Sequence, residues 1–207
     1  FKELNLDGIP LLVSRTGWSS EFGYELFLKD GSKGNELYEK IMVAGKEFGL
    51  KPGHTSSIRR IEGGILGNTT DMDINMSTFE AGLSFVVDLD KEDFVGRKAL
   101  LNKNKNVLLH GLTCKTATPS SGSKILDGNE EVGYITAGVP SPTLGLGIGY
   151  ARFLKGKEWQ GKQLKLSLPN GEFHSAEIVV LPFFDKEKKI IKGIDKSIPI
   201  ISNDFQY

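Results

Sequence analysis

The chain has 207 residues, of which 39% are hydrophobic and 25% charged, and Lys plus Arg balance Asp plus Glu at 26 each. That composition supports one or two ordinary domains with a real core, and the balanced charge gives no basis for a nucleic-acid or anionic-membrane surface. Cys114 is the sole cysteine, which excludes an internal disulfide and a cysteine-based zinc cluster and suits a reducing, cytoplasmic setting; no apolar run nears the about 18–20 residues of a membrane span.

In chain order, residues 1–8 read as the run-in to a strand over 10–14, and residues 24–28 alternate as a second strand. Leu37, Ile41, Ala44 and Phe48 recur at spacings of three and four, which predicts an amphipathic helix over 34–48 closed by Gly49. A second helix is predicted over 54–66, with Ile58, Ile61 and Ile65 facing a core. Residues 67–78 are a polar loop, 79–89 read largely as a strand, and 95–103 as a short helix. After the polar run 102–106, five short strands are predicted at 107–112, 131–136, 146–150, 163–168 and 176–180. Asp127-Gly128 and Asn170-Gly171 signal hairpin turns. Short strands at this spacing form a small barrel or sandwich.

Residues 15–25 carry the strongest chemical signal. Gly17 and Gly23 permit backbone geometry closed to other residues, Trp18 offers a stacking face, and Glu21 and Glu25 offer acceptor pairs for a flat ring with adjacent N–H donors. Taken alone, the same segment is also that of a β-hairpin with polar turn residues. His54, His110 and His174 show no ligand spacing. Asp71, Asp73 and Asn75 alternate as in part of a calcium loop but lack its glycine and later glutamate, so they read as an ordinary polar loop, and Cys114 reads as core.

Residues 15–25 resemble the G-Y-T-G-E-D-G-F-E stretch of the glycine-cleavage T-protein family, the tetrahydrofolate-dependent aminomethyltransferases. In the same order, Arg60-Ile61-Glu62-Gly63-Gly64 is similar to the family's R-L-E-A-G, Phe79 to Leu83 to its L-E-A-G-L, and Asp88 to Arg97 to its D-L-D-K-E-D-F-I-G-R. Ser141 to Gly145 is similar to S-P-T-L-G, and Leu181-Pro182-Phe183 to the closing L-P-F. The resemblance implies an α+β chain. Residues 1–103 would be a ferredoxin-like α/β part of a folate-binding domain, 104–185 a C-terminal antiparallel β-barrel domain, and 186–207 a tail that packs on another surface or stays mobile. It also implies that the chain is a C-terminal fragment, inactive alone, whose partner is the N-terminal half bearing the family's catalytic aspartate.

The site follows from the resemblance residue by residue. Glu25 aligns with the glutamate of G-F-E, whose carboxylate accepts from the pterin 2-amino group and N3; Trp18 and Tyr24 would line the same site, and Glu21 would hold loop N–H groups. Ser56 stands where the family has a folate-contacting arginine, with Arg59 as its substitute and Arg60 making structural contacts to Glu62 or Glu80. The implied cofactor is tetrahydrofolate, and the implied donor is a lipoyl carrier protein or a small one-carbon compound. Two alternatives stand beside aminomethyl transfer. One is demethylation of dimethylsulfoniopropionate or another methylated osmolyte, which the 52–56 run and the Gly17-Trp18-Ser19 turn resemble; the other is a non-catalytic folate-binding module.

Overall fold

A computed structural model describes residues 1–54 and 56–197. Thr55, within the predicted 54–66 helix, and the 198–207 part of the tail lie outside the described residues. The chain divides into two compact units, the first formed by Phe1–Ser56 with Lys188–Lys196 and the second centred on Ser57–Glu187.

The first unit holds an antiparallel sheet of β1 (Lys2–Leu6), β2 (Ile9–Ser14) and β3 (Glu25–Leu28), in that order. Residues 1–8 are therefore more than a run-in. Asp7 and Gly8, at φ 47° and 89°, make a two-residue hairpin turn whose left-handed backbone matches the strand twist, and β1 pairs along β2 from Lys2↔Val13 to Leu6↔Ile9. Because directly paired residues share a face, Leu11 and Leu28 lie together, and Leu37 and Ile41 of α1 (Gly34–Gly45) pack on that side with Ile9. A 3-10 turn, Lys46–Phe48, extends α1, and Gly49 at φ 70° ends it as predicted. Glu25, paired with Ser14, lies on the opposite side of the sheet.

The second unit is α2 (Ser57–Glu62), α3 (Arg97–Leu101) and a closed antiparallel barrel. The barrel strands are β4 (Leu109–Cys114), β5 (Lys124–Asp127), β6 (Glu130–Ser141), β7 (Leu146–Phe153), β8 (Gln163–Ser167) and β9 (Phe173–Val179), in spatial order β4-β7-β6-β5-β8-β9. The five predicted strands are present, and β5 is the addition, four residues that pair with β6 across the Asp127-Gly128 turn. Asn170-Gly171 likewise joins β8 to β9. Leu112, Cys114, Ile125, Ile135, Phe153, Trp159, Leu166 and Ile178 fill the barrel, where Phe153 and Trp159 stack with centroids 4.3 Å apart. The α+β class with a C-terminal antiparallel barrel thus holds.

Two expectations are corrected. Residues 79–89 form turns and a 3-10 helix, Ser84–Val86, rather than a strand. Glu80 accepts from the Ser77 N–H at 2.8 Å, Leu83 N donates to Thr78 O at 2.8 Å, and Gly82 sits at φ 72°, all of which curl the backbone. The predicted 54–66 helix is six residues long, because Gly63-Gly64 ends it. Gly64, at φ 72°, donates to Ile61 O, and Ile65 donates to Arg60 O at 2.8 Å.

Candidate functional site

The loop between β2 and β3 keeps the residues singled out in 15–25 together because the two strands pair directly, Ser14 opposite Glu25. Glu25 is exposed at the first position of β3. Thr16 Oγ1 donates to its Oε2 and also lies 2.9 Å from Ser14 Oγ. Thr16, which the motif contains but residue chemistry does not single out, therefore sets the direction of the Glu25 carboxylate. A carboxylate has about four lone-pair sites, so the second oxygen and the open side of the first remain able to accept a pair of N–H donors.

The same loop carries two exposed aromatics, Trp18 at 45% and Tyr24 at 58%. Tyr24 meets Phe22 edge-on at 5.8 Å, and Phe22 lies under the Arg15 guanidinium at 4.1 Å. Glu21 is half-buried, and its own N–H points to Ser19 Oγ at 3.4 Å. Between them Ser20 takes a left-handed backbone, φ 59°, and its buried hydroxyl has no hydrogen-bond partner among the described residues. Outward aromatics and an available carboxylate in one loop are the kinds of group a flat, hydrogen-bonding ring uses.

Ser56 ends the first unit, half-buried and just ahead of α2. Arg59 belongs to the second unit, where its Nη1 donates to Glu62, lies 3.5 Å from Thr143 Oγ1, and faces the Phe184 ring at 5.4 Å. Glu62 is fully buried and accepts from Ser141 Oγ at 2.5 Å, and Ser141 Oγ in turn accepts from Leu144 N at 3.1 Å. The segments 60–64 and 141–145 thus meet in space through a carboxylate, a guanidinium and a serine.

Among the described residues, Arg60 pairs with Asp71, at 2.8 Å, rather than with Glu62 or Glu80. Asp71 is completely buried and also accepts from Gly67 N and Thr136 Oγ1, both at 2.7 Å, so its place in the polar loop is structural. Asp73 pairs with Arg152 at 2.7 Å, a bond that holds the Asp73 carboxyl below its ordinary pKa. Tyr150, enclosed between α2 and the barrel wall, reaches the carbonyls of Arg60, Ile61 and Ile65 at 3.0–3.4 Å; burial, with Asp71 nearby, pushes its phenol far above the usual value. Leu181-Pro182-Phe183 closes the same region, with Phe183 stacked on Tyr150 at 6.2 Å and Phe184 N donating to Glu62 O at 2.9 Å.

Comparison with known proteins gives two family matches. Residues 1–91 match the GCVT N-terminal domain and residues 108–185 the glycine cleavage T-protein C-terminal barrel domain. Among curated relatives, an aminomethyltransferase of Halothermothrix orenii is 36% identical over 86% of this chain and 51% of its own length. One of Thermoanaerobacter pseudethanolicus is 32% identical over 91% of this chain and 53% of its own. The crystal structure of the glycine cleavage system aminomethyltransferase T from Bartonella henselae shares the fold, with a TM-score of 0.66 at 22% identity over 84% of this chain and 50% of that one. The chain spans about half the length of the relatives it matches.

Proposed function

Because this chain belongs to the glycine-cleavage T-protein family, we propose that it is part of a tetrahydrofolate-dependent one-carbon transferase in which Glu25 anchors the pterin. The observation that carries this reading is the exposed Glu25 carboxylate, oriented by Thr16 at the end of the loop that exposes Trp18 and Tyr24. When bound, tetrahydrofolate supplies N5 as the nucleophile that accepts the one-carbon unit. The residues here hold and orient the ring: Glu25 accepts from its paired N–H donors, Trp18 and Tyr24 offer faces against it, and Glu21 steadies the loop. The aminomethyl donor would be presented by a lipoyl carrier protein, and the catalytic aspartate would come from the N-terminal half of the fold that the relatives possess. A cytoplasmic location belongs to the same proposal.

The test is binding in the chain completed with that N-terminal half. Glu25→Gln keeps the shape but loses the charge, and should weaken tetrahydrofolate binding by about 1.5–3 kcal/mol, the scale of a hydrogen bond to a charged group. Unchanged affinity would make the carboxylate structural.

A second reading, demethylation of a methylated osmolyte such as dimethylsulfoniopropionate, is favoured by one residue, Ser56, where the family carries an arginine. Ser56→Arg should tighten folate binding if the pocket is that of an aminomethyltransferase and weaken it if the pocket is built around the smaller side chain. Assay of the completed protein with aminomethyl-lipoyl carrier against methylated sulfonium and amine donors separates the two.

A further inference from the structure

The loop that carries Trp18, Glu21 and Tyr24 is held in a conformation it would not choose by itself. Ser20 sits at φ 59°, in the left-handed region that costs a non-glycine residue free energy, and its hydroxyl is buried without a partner among the described residues. Such a residue persists only where surrounding contacts over-determine it. Contacts to its loop neighbours Arg15 and Phe22 come from the far end of the chain. Residues 188–196 belong to the same compact unit as the loop, although more than 160 residues separate them in sequence. The segment is folded on itself: Gly193 donates to Ile190 O and Ile194 to Lys189 O, both at 2.9 Å, and Ile190 is only 5% exposed.

Two contacts join this segment to the loop. Arg15 donates from Nη2 to the Ile191 carbonyl while its guanidinium covers Phe22 at 4.1 Å. On another part of the same ring lies Gly193, so close that a β-carbon there would stand 2.7 Å from Phe22 Cε2 and 2.9 Å from Cδ2. Gly193 is also at φ 69°, so the backbone favours glycine there, and a β-carbon would in addition push the Phe22 ring from its place. Phe22 is thus fixed between a cation, an edge-on tyrosine and a glycine, and its neighbours in the loop follow it. The segment lies beyond residue 185, where the family match ends.

We propose that residues 188–196 are a strap that fixes the 15–24 loop, with Arg15, Phe22 and Gly193 as its positioning residues. The geometry carries the strap by itself; that the fixed loop serves a pterin rests on the function proposed above. The strap predicts a coupling between two distant stretches of sequence that a local β-hairpin would not have.

The experiment is amide hydrogen exchange on the full 207-residue chain, which needs no ligand, followed by titration with tetrahydrofolate of the protein completed with the N-terminal half. Gly193→Ala should speed exchange of the 17–24 amides roughly tenfold, the scale of an overpacking defect, while amides of β6 and β7 keep their rates. In a Phe22→Leu background, where the ring is gone, the added effect of Gly193→Ala should shrink. An equal effect in both backgrounds would mean only backbone strain at Gly193 and would overturn the strap. Arg15→Gln is the milder second variant, and should speed exchange in both 17–24 and 189–195; unchanged rates there overturn the proposal. If the completed protein binds tetrahydrofolate and Glu25→Gln weakens it, Gly193→Ala should weaken it too, and full retention of affinity despite faster exchange would sever the strap from the ligand. If no variant binds folate while the exchange coupling is present, the strap stands and the pterin reading falls.

Discussion

Thr16 and Asp71 show how one side chain decides the behaviour of its surroundings. Thr16→Val keeps the volume and removes the donor to Glu25, so the carboxylate loses its fixed direction. Folate affinity, measured by titration of the completed protein, should fall by about 1 kcal/mol, less than for Glu25→Gln, because the acceptor is still there. Asp71 accepts three hydrogen bonds at 2.7–2.8 Å in a fully buried position, and Arg60 is its buried cation. Asp71→Ala takes this carboxylate from Arg60, Gly67 N and Thr136 Oγ1 together and should cost about 3–5 kcal/mol in urea unfolding of the second unit. His110 gives a pH signature. Burial holds its imidazole below the ordinary pKa, so the folded state binds fewer protons than the unfolded one in the acid range. Stability is full above the unfolded value of about 6.5 and falls as pH drops from there toward the folded value. The urea midpoint should therefore decline between neutral and mildly acidic pH, and His110→Gln should flatten that decline.

At the scale of elements, the C-terminal end of α2 is the most constrained junction. A β-carbon on Gly64 would lie 3.1 Å from Pro182 Cα, at a φ of 72°. Gly64→Ala should destabilise the second unit by about 1–3 kcal/mol in thermal or urea unfolding, through strain and through displacement of the 181–184 segment. The helix α1, the glycine that ends it and the two later hairpins were legible in the sequence because each is specified by residues next to one another. Phe79 to Leu89 misled for the opposite reason. Its apolar run suits a strand, but Glu80 bonding back to Ser77 N and the left-handed Gly82 impose turns that hydropathy does not report. β5 is too short to show a pattern, and the Asp7-Gly8 turn carries the same signal as Asp127-Gly128. In the candidate site, the side chains of residues 15–25 were legible as a local motif. Thr16's bond to Glu25, the orphaned Ser20 hydroxyl, the contact of Gly193 with Phe22 and the bond from Arg15 to Ile191, 176 positions away, depend on the folded chain, and no local pattern encodes them.

Over the whole molecule, order is unevenly distributed. The barrel closes on itself and leaves no unpaired strand edge, and its interior residues are almost wholly shielded. Among the described residues, β1 and β3 are the edges of the three-stranded sheet, which has a small core around Ile9, Leu11 and Leu37, with Phe1, Leu4, Leu26 and Phe27 substantially exposed. Native-state exchange should therefore be slowest in β6 and β7 and fastest, among strands, in β1 and β3. The two tryptophans of the chain fall one to each unit: Trp159, 3% exposed and stacked on Phe153, and Trp18, 45% exposed on the loop. Their placement makes the protein its own optical instrument. Trp159 emits from an apolar interior out of reach of an aqueous quencher such as iodide, and Trp18 emits from beside water, so quenching resolves the two without any label. A red shift of the shielded component reports opening of the barrel, while a change in the quenchable one reports events at the loop.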